Sequence, residues 1–246
     1  VTGAEAEGGI VDYIYTPPPK PTLARWWHMA RAFPGQSVLR MLEYEHLSHL
    51  PVSGRVLDMG GGRKARYLKL LPPGAAVESA NIDPGIEPTH LIRPGEPLPL
   101  PDDSYDAVIC FNTLEHIYDA VAVLNELHRV VRPGGAVHVI VPFMFRIHGH
   151  PDDYFRATPS WWRETFDRTG FSRMELMPLV WGRNSTRAVV PGLHGAFPRL
   201  RMHVAMLFDI LFARIMLKGD RMSGRRGDSI CGTAPGWFMT GWKGVP

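Results

Sequence analysis

Cysteine is scarce: only Cys110 and Cys231 occur in 246 residues, which excludes a disulfide scaffold and favours a reducing compartment. Long apolar runs are missing as well. The nearest approach, Val204 to Leu217, is broken by Asp209 and Arg214, so no membrane-spanning helix is expected. The opening residues, VTGAEAEGGI, carry neither the basic nor the apolar region of a secretory signal. Together these features point to a cytoplasmic location. No short repeat runs through the chain and 45% of residues are hydrophobic, which rules out collagen-like, coiled-coil and disordered classes. The formal net charge is only +3, and the isoelectric point of about 9.0 permits a polyanionic partner without demanding one. A chain of this length can bury roughly three quarters of its unfolded surface without staples.

What is present falls into three stretches. Residues 1–22 hold Gly3, Gly8 and Gly9, then Pro17-Pro18-Pro19-Lys20-Pro21, which predicts extended, polyproline-like chain. Helical patterns over 23–33 and 36–50, split by Pro34-Gly35, complete an N-terminal arm. From Arg55 short apolar runs alternate with helical ones. Strands are expected at 56–59, 77–83, 105–111 and 136–145, and a helix at 120–131 stopped by Pro133-Gly134-Gly135. A helix over 161–169 closed by Gly170 and a strand over 171–180 follow. This alternation argues for a parallel sheet covered on both faces. The last stretch has a long apolar helix over 200–218 with basic ends, a Gly-rich link, and a final strand at 237–242. Residues 181–236 thus read as an insertion before the last strand.

The run Val56-Leu57-Asp58-Met59-Gly60-Gly61-Gly62 carries the strongest chemical signal. Glycines just past a strand let backbone turn sharply and approach a ligand, at the edge where open α/β sheets bind nucleotides. A plain strand-to-helix turn would also use glycines. Two carboxylates favour the ligand. Asp83, in Asn81-Ile82-Asp83-Pro84, ends the next strand where it can accept both ribose hydroxyls, and Asp58 precedes the glycines directly. Gly60, Gly62 and Ala65 fit a dinucleotide fingerprint only loosely. A carboxylate here would repel a pyrophosphate but suits an ammonium group, so the pattern prefers S-adenosyl-L-methionine (SAM) to a dinucleotide.

The ordered blocks VLDMGGGRKARY, NIDP, LPLPDDSYDAVICFNTLEHI and LNELHRVVRPGGAVHVIVPF resemble the class I SAM-dependent methyltransferases of the methyltransferase type 11 group, over about residues 55–181. HPDDYFRATPSWWRETFDRTGF is similar to a bacterial subset found with polysaccharide and glycolipid enzymes. The resemblance implies a Rossmann-like, doubly wound, mostly parallel seven-stranded sheet. It divides the chain into an arm (1–50), a SAM-binding core (51–182) and a helical insertion with the final strand (183–246). It further implies that Asp58, Gly60, Gly61 and Gly62 line the methionine and ribose end of SAM and that Asp83 holds the ribose. Leu98, with Glu96 and the backbone near Gly95, would pack on adenine. Phe111, Asn112 and Glu115 would lie beside the sulfonium. Two departures stand out: Lys64 occupies the place of the usual third glycine, and Pro94 that of the common adenine-binding acid.

Methyltransferases acting on base amines present an (Asn/Asp)-Pro-Pro-aromatic element where this chain has Cys110-Phe111-Asn112-Thr113-Leu114-Glu115-His116. That absence makes nucleic acid an unfavoured partner. Methylating a hydroxyl needs a proton acceptor, and the stretch Arg146 to Arg156 (RIHGHPDDYFR) opens at the same sheet edge. His148, His150, Asp153 and Tyr154 are the catalytic candidates, with His116 as a fifth. The bland alternatives are an ion pair of Asp152 or Asp153 with Arg156 and, for His116, a helix start. The His148-x-His150-x-Asp152 spacing also admits a divalent metal, which the resemblance does not require, so no metal site is assigned. Trp26, Trp27 and His28 could close over substrate, although adjacent helical tryptophans cannot both face one way.

The leading expectation is O-methylation of a small or lipid-linked polyhydroxylated acceptor, a glycosyl group or natural product, with a His/Asp general base. N-methylation of a small amine, RNA methylation and a non-catalytic partner role are the alternatives. The apolar helix over 200–218 predicts a dimer interface, packing against the arm, or peripheral contact with a membrane. Around it cluster Arg199, Arg201, Arg214, Lys218, Arg221, Arg225 and Arg226.

Overall fold

A computed structural model describes residues 11–149, 151–192 and 195–245. Eight strands form one sheet: β1 (Asp12–Tyr15), β2 (Gly54–Met59), β3 (Ala75–Asn81), β4 (His90–Leu91), β5 (Tyr105–Phe111), β6 (Val131–Pro142), β7 (Phe171–Leu179) and β8 (Gly236–Lys243). Their order is β1-β7-β8-β6-β5-β2-β3-β4. Only β8 runs antiparallel to its neighbours, β6 and β7. The remaining pairs are parallel, with Val56 opposite Val77 on one side of β2 and opposite Ala107 on the other. The chain therefore reverses its winding at β2 and β5, leaving a crevice beyond their carboxyl ends.

Among the described residues seven α-helices cover the sheet: α1 (Leu23–Ala32), α2 (Val38–Leu47), α3 (Ala120–Val130), α4 (Pro159–Thr169), α5 (Arg183–Val189), α6 (Pro198–Met216) and α7 (Gly224–Cys231). On one face α3 lays Leu124, Leu127 and Val130 against β5, β6 and the aromatic cluster Trp162, Phe166 and Phe171. On the other, Met29 of α1 and Met41 and Leu42 of α2 join Met202 and Met206 of α6 around Trp181. Burial of two separate apolar layers on opposite faces makes this a doubly wound fold. Local signals set the ends. Ser37 caps α2 by accepting from the Arg40 N–H, Asp119 caps α3 from Ala122, and Gly170 closes α4 at φ +96°.

The sheet has one strand more than the seven expected. Asp12–Tyr15 adds to the β7 edge, Asp12 opposite Arg173 and Tyr15 opposite Leu176, where extended chain alone was anticipated. Strand β6 also starts earlier than expected. Pro133-Gly134-Gly135 lies inside it rather than ending α3, and a register irregularity between Tyr105 and Ala107 absorbs the break. The proline run is extended, held by Lys20 N–H to Asp220 O at 2.8 Å and Met222 N–H to Pro18 O at 2.9 Å. The Gly-rich link contains the short helix α7. Cys110 and Cys231 are both buried free thiols. Among the described residues no helix is long and apolar enough to cross a membrane.

Candidate active site

The glycine loop leaves β2 into the crevice, and each of its glycines is tightly surrounded. Gly60 sits at φ +88°, and a Cβ there would stand 2.1 Å from Thr113 Oγ1. At Gly61 it would meet Asp58 Oδ2 at 1.8 Å, and at Gly62 the Ile86 carbonyl at 2.6 Å. Side chains of any size are excluded from this cradle. A single 3₁₀ turn, Arg66–Leu70, follows the loop where a strand-to-helix turn would have placed an α-helix. No helix dipole therefore awaits a pyrophosphate there.

Three further elements converge on the loop. Asn81 Nδ2 donates to Gly60 O at 2.5 Å. The turn after Asp83 packs Ile86 on Gly62, which leaves the Asp83 carboxylate exposed beside the cradle while its Oδ1 accepts from Gly85 N–H at 2.8 Å. Past β5, Thr113 Oγ1 donates to the Met59 carbonyl at 3.3 Å or the Phe111 carbonyl at 3.1 Å, tying the two strand ends together. Asn112 adopts φ +50°, a left-handed conformation tolerated by asparagine. From α2, buried Glu43 faces the Asn112 amide and pairs with Arg40 at 2.7 Å; burial raises its carboxyl above the ordinary range.

Asp58 is not on the cradle's surface. It is fully buried, and both carboxylate oxygens accept from Tyr67 Oη, at 3.0 and 2.8 Å. Burial pushes its pKa up to about 7, against the opposing Tyr67 hydrogen bond. Lys64 turns outward and pairs with Glu87 at 2.7 Å. Glu96 is also exposed, near Arg93 at 3.6 Å. Leu98 lies in the core, its N–H on Glu126 Oε2 at 2.7 Å. Leu98 shares its core cluster with Met59 and Ala80, at the strand ends that lead into the cradle. Phe111 ends β5 buried, edge-on to Tyr67 with ring centroids 5.7 Å apart.

The second part of the site joins the turn after β5 to the loop after β6. Glu115 is buried, and neither of its carboxylate oxygens has a hydrogen-bond partner among the described residues. Burial raises its pKa to about 8, with Glu43 and Asp153 adding and Arg156 opposing. His116 Nε2 lies 3.6 Å from Glu115 Oε1, and its Nδ1 contacts the Asp152 carbonyl at 2.6 Å. The rings of His116 and His148 meet edge to face, 5.1 Å between centroids. His148 Nδ1 contacts the Arg146 carbonyl at 3.2 Å. Burial holds His148 below the ordinary histidine range, so its ring is neutral at neutral pH. Nδ1 of each ring faces a carbonyl, and that of His148 also lies 3.4 Å from Arg156 Nη2. Glu115, His116 and His148 offer ligand atoms within 4.8 Å of one another, a spacing that could hold a divalent cation.

Asp153, expected as a proton acceptor, instead forms a two-pronged ion pair with Arg156 and accepts the His148 N–H at 2.8 Å. The Arg156 guanidinium holds its pKa down at about 2, which makes it a poor base and a positioning group. Tyr154 is exposed, its hydroxyl 3.3 Å from Asp152. Its N–H donates to Glu115 O at 2.8 Å and pins the loop. His150 lies outside the described residues. Trp26 donates to His203 Nδ1 of α6 at 3.2 Å, and Trp27 lies exposed beside Arg31. Thr113, Tyr67, Asn81, Glu43 and Arg156 were not among the expected site residues. Tyr67, Asn81, Thr113 and Arg156 sit inside motif blocks that could have flagged them; Glu43 does not.

Residues 57–139 match the family model described as a methyltransferase domain. Over those residues the chain is similar to methyltransferase domains, and its fold is that of SAM-dependent methyltransferases. SAM is the cofactor of such domains, and the cradle's glycines and Asp83 fit an adenosyl group without phosphates. A methyltransferase of Haloferax volcanii, solved with the Trm112 methyltransferase activator, shares the fold: TM-score 0.55, 17% identity, 90% of this chain and 95% of that one. A SAM-dependent methyltransferase of Thermotoga maritima gives a TM-score of 0.51 at 15% identity, over 89% and 94% of the two chains. By sequence, the ubiquinone biosynthesis O-methyltransferase of Aeromonas salmonicida is 28% identical over 150 residues, 53% of this chain and 60% of the relative. The demethylmenaquinone methyltransferase of Thermus thermophilus is 34% identical over 101 residues, 35% of this chain and 46% of the relative. The chain spans three fifths or less of the length of these two relatives.

Proposed function

We propose that the protein transfers the SAM methyl group to a hydroxyl of a small or lipid-linked polyhydroxylated acceptor, such as a glycosyl group or natural product. The acceptor oxygen attacks the methyl carbon in line and the carbon–sulfur bond breaks. S-Adenosylhomocysteine and a methyl ether result, and the hydroxyl proton passes to His148 or His116. The observation that carries this reading is the pair of imidazoles beside the crevice, His148 neutral and with Nε2 unencumbered by its backbone contact. A neutral amine acceptor would need no such base. The similarity to an enzyme named for O-methylation supports the same choice. Phe111 and Asn112, at the end of β5, would flank the sulfonium, and Asp83 the ribose.

Single-turnover methylation of a panel of glycosides, glycolipids and phenols, read by mass spectrometry, tests the proposal. A product heavier by one methylene is expected. Its rate should fall about 10²- to 10⁴-fold in the H116A/H148A double variant, with SAM binding by calorimetry unchanged. An unaltered rate in that variant overturns the general-base reading. The same assay after chelation separates a base from a bound cation: the proposal expects no loss.

A further inference from the structure

Helix α6 buries one narrow face, Met202, Met206, Asp209 and Ala213, against α1, α5 and Trp181. Packing against the arm therefore accounts for only part of its apolar surface. Leu200, Val204, Leu207, Phe208, Leu211 and Ile215 are all exposed, Phe208 at 60% and Ile215 at 66%. At 100° per residue these six share about a third of the helix circumference, and Phe212 and Met216 widen the exposed apolar face further. Phe197, at the helix start, is 76% exposed and held at φ +49°, a conformation that is strained for an aromatic residue. A groove of about 310 Å³ runs along this surface, lined by Asn184, Phe208, Leu211, Phe212, Ile215 and Met216. Exposed cations lie beside it, Arg214 within the helix and Lys218, Arg225 and Arg226 beyond its end, outnumbering the exposed acids Asp220 and Asp228 there; Arg199, at the helix start, turns towards Gly35.

We infer that this face of α6 docks on an anionic bilayer, with Phe208, Leu211 and Ile215 in the acyl-chain boundary and the flanking cations on lipid phosphates. Charge selects the occupant. A second copy of the chain would bring the same cations together across a two-fold axis, a like-charge contact, whereas an anionic leaflet attracts them. An apolar helix face with basic residues beside it is the pattern that lies in a membrane interface rather than crossing it. The placement fits the site as well. Strand β7 runs in the direction of β6, so α5 and α6 follow from the same sheet edge as the glycine loop. In its choice of lipid-linked over free acceptors, the inference rests on the functional reading above.

Flotation of the full chain with phosphatidylcholine vesicles, with and without half phosphatidylglycerol, tests it. Binding is expected only with the anionic lipid, weakening as salt rises, and at least tenfold lower in F208D/L211D. The milder F208A/L211A, checked for unaltered thermal unfolding, should fall between them. Failure to float with anionic vesicles, or equal flotation of F208D/L211D, overturns the inference. So does a dimer in light scattering that F208D/L211D disperses. Methylation of a water-soluble acceptor separates the two readings. If it persists in a protein that does not float, membrane docking alone fails; if vesicles bind but no hydroxyl acceptor is methylated, the acceptor assignment alone fails.

Discussion

The Tyr67 hydroxyl stands across both carboxylate oxygens of Asp58, at 3.0 and 2.8 Å, directly beneath the glycine loop. A buried carboxylate with one donor is under-solvated, and its pKa of about 7 follows from that burial. Tyr67 is the side-chain donor that opposes this rise.

The first prediction follows from the sign of that shift. Asp58 titrates near 4 in the unfolded chain and at about 7 in the fold, so the fold binds the extra proton between those values. Its contribution to stability is present below about pH 4 and is lost as pH rises to 7. Removing the donor in Y67F raises the folded pKa further. The expected cost is about 2 kcal/mol at pH 8.5, where the carboxylate must ionise, and about 1 kcal/mol or less at pH 5. Urea unfolding at the two pH values checks it; an equal cost at both contradicts the argument.

Backbone conformation carries the second. Gly60 is in the left-handed region, and Thr113 fills the space a methyl group would need. G60A should therefore lower stability by about 2 kcal/mol and reduce SAM affinity at least tenfold. The companion T113A removes both Oγ1 and the opposing methyl group and should restore part of the loss in G60A/T113A. Calorimetric titration of SAM reads the second effect, and an additive double variant would refute the steric account.

The core was legible in the chain because its signals are local. Alternating apolar runs, Gly170 at the end of α4 and glycines after β2 each report the residue's own neighbourhood. Strand β1 was hidden because Asp12–Tyr15 gains its pairing only from Arg173–Leu176, far along the chain, and it abuts prolines that suggest unpaired chain. Asp83, Asn112, Glu115, His116 and His148 were visible as polar residues at strand ends. What could not be seen was which of them face each other. The sequence pattern offers Asp153 and Arg156 three residues apart, and both an ion pair and a free base are consistent with that spacing. Asp58 likewise reads as a ligand-facing acid until Tyr67, nine positions on, is folded over it.

The third prediction separates positioning from proton transfer. Asp153 holds Arg156 and the His148 N–H, so D153N should loosen the loop without removing a base. A fall of about tenfold in single-turnover rate is expected, with SAM affinity unchanged and the pH at half-maximal rate still set by histidine. Loss of 10²- to 10⁴-fold, as for a general base, would return Asp153 to the catalytic set. Because Arg156 depresses its pKa to about 2, the pair supports the fold above about pH 4. That support is lost as pH falls towards 2.

Asp209 stands among Met202, Met206 and Ala213 on the buried face of α6, and its environment shows why. It is buried, with Oδ1 accepting the Asn184 N–H at 3.0 Å and the Asn184 side-chain amide at 2.9 Å, while Oδ2 accepts the Ser185 N–H at 2.8 Å. These are free donors of the first turn of α5, which has no capping side chain of its own at Gly182. A carboxylate there also complements the positive end of the helix dipole. D209A leaves the buried Ser185 N–H and the half-buried Asn184 N–H without acceptors and should cost about 1 to 3 kcal/mol. D209N retains one acceptor oxygen but turns an amide donor towards another N–H, so a cost of about 1 to 2 kcal/mol is expected. Denaturant unfolding of the two variants gives both numbers, and a change in D209A below about 0.5 kcal/mol would mean that water serves the α5 terminus equally well. Since α5 and α6 meet through this residue, D209A should also reduce vesicle flotation, whereas substitutions on the outer face of α6 should leave unfolding unchanged.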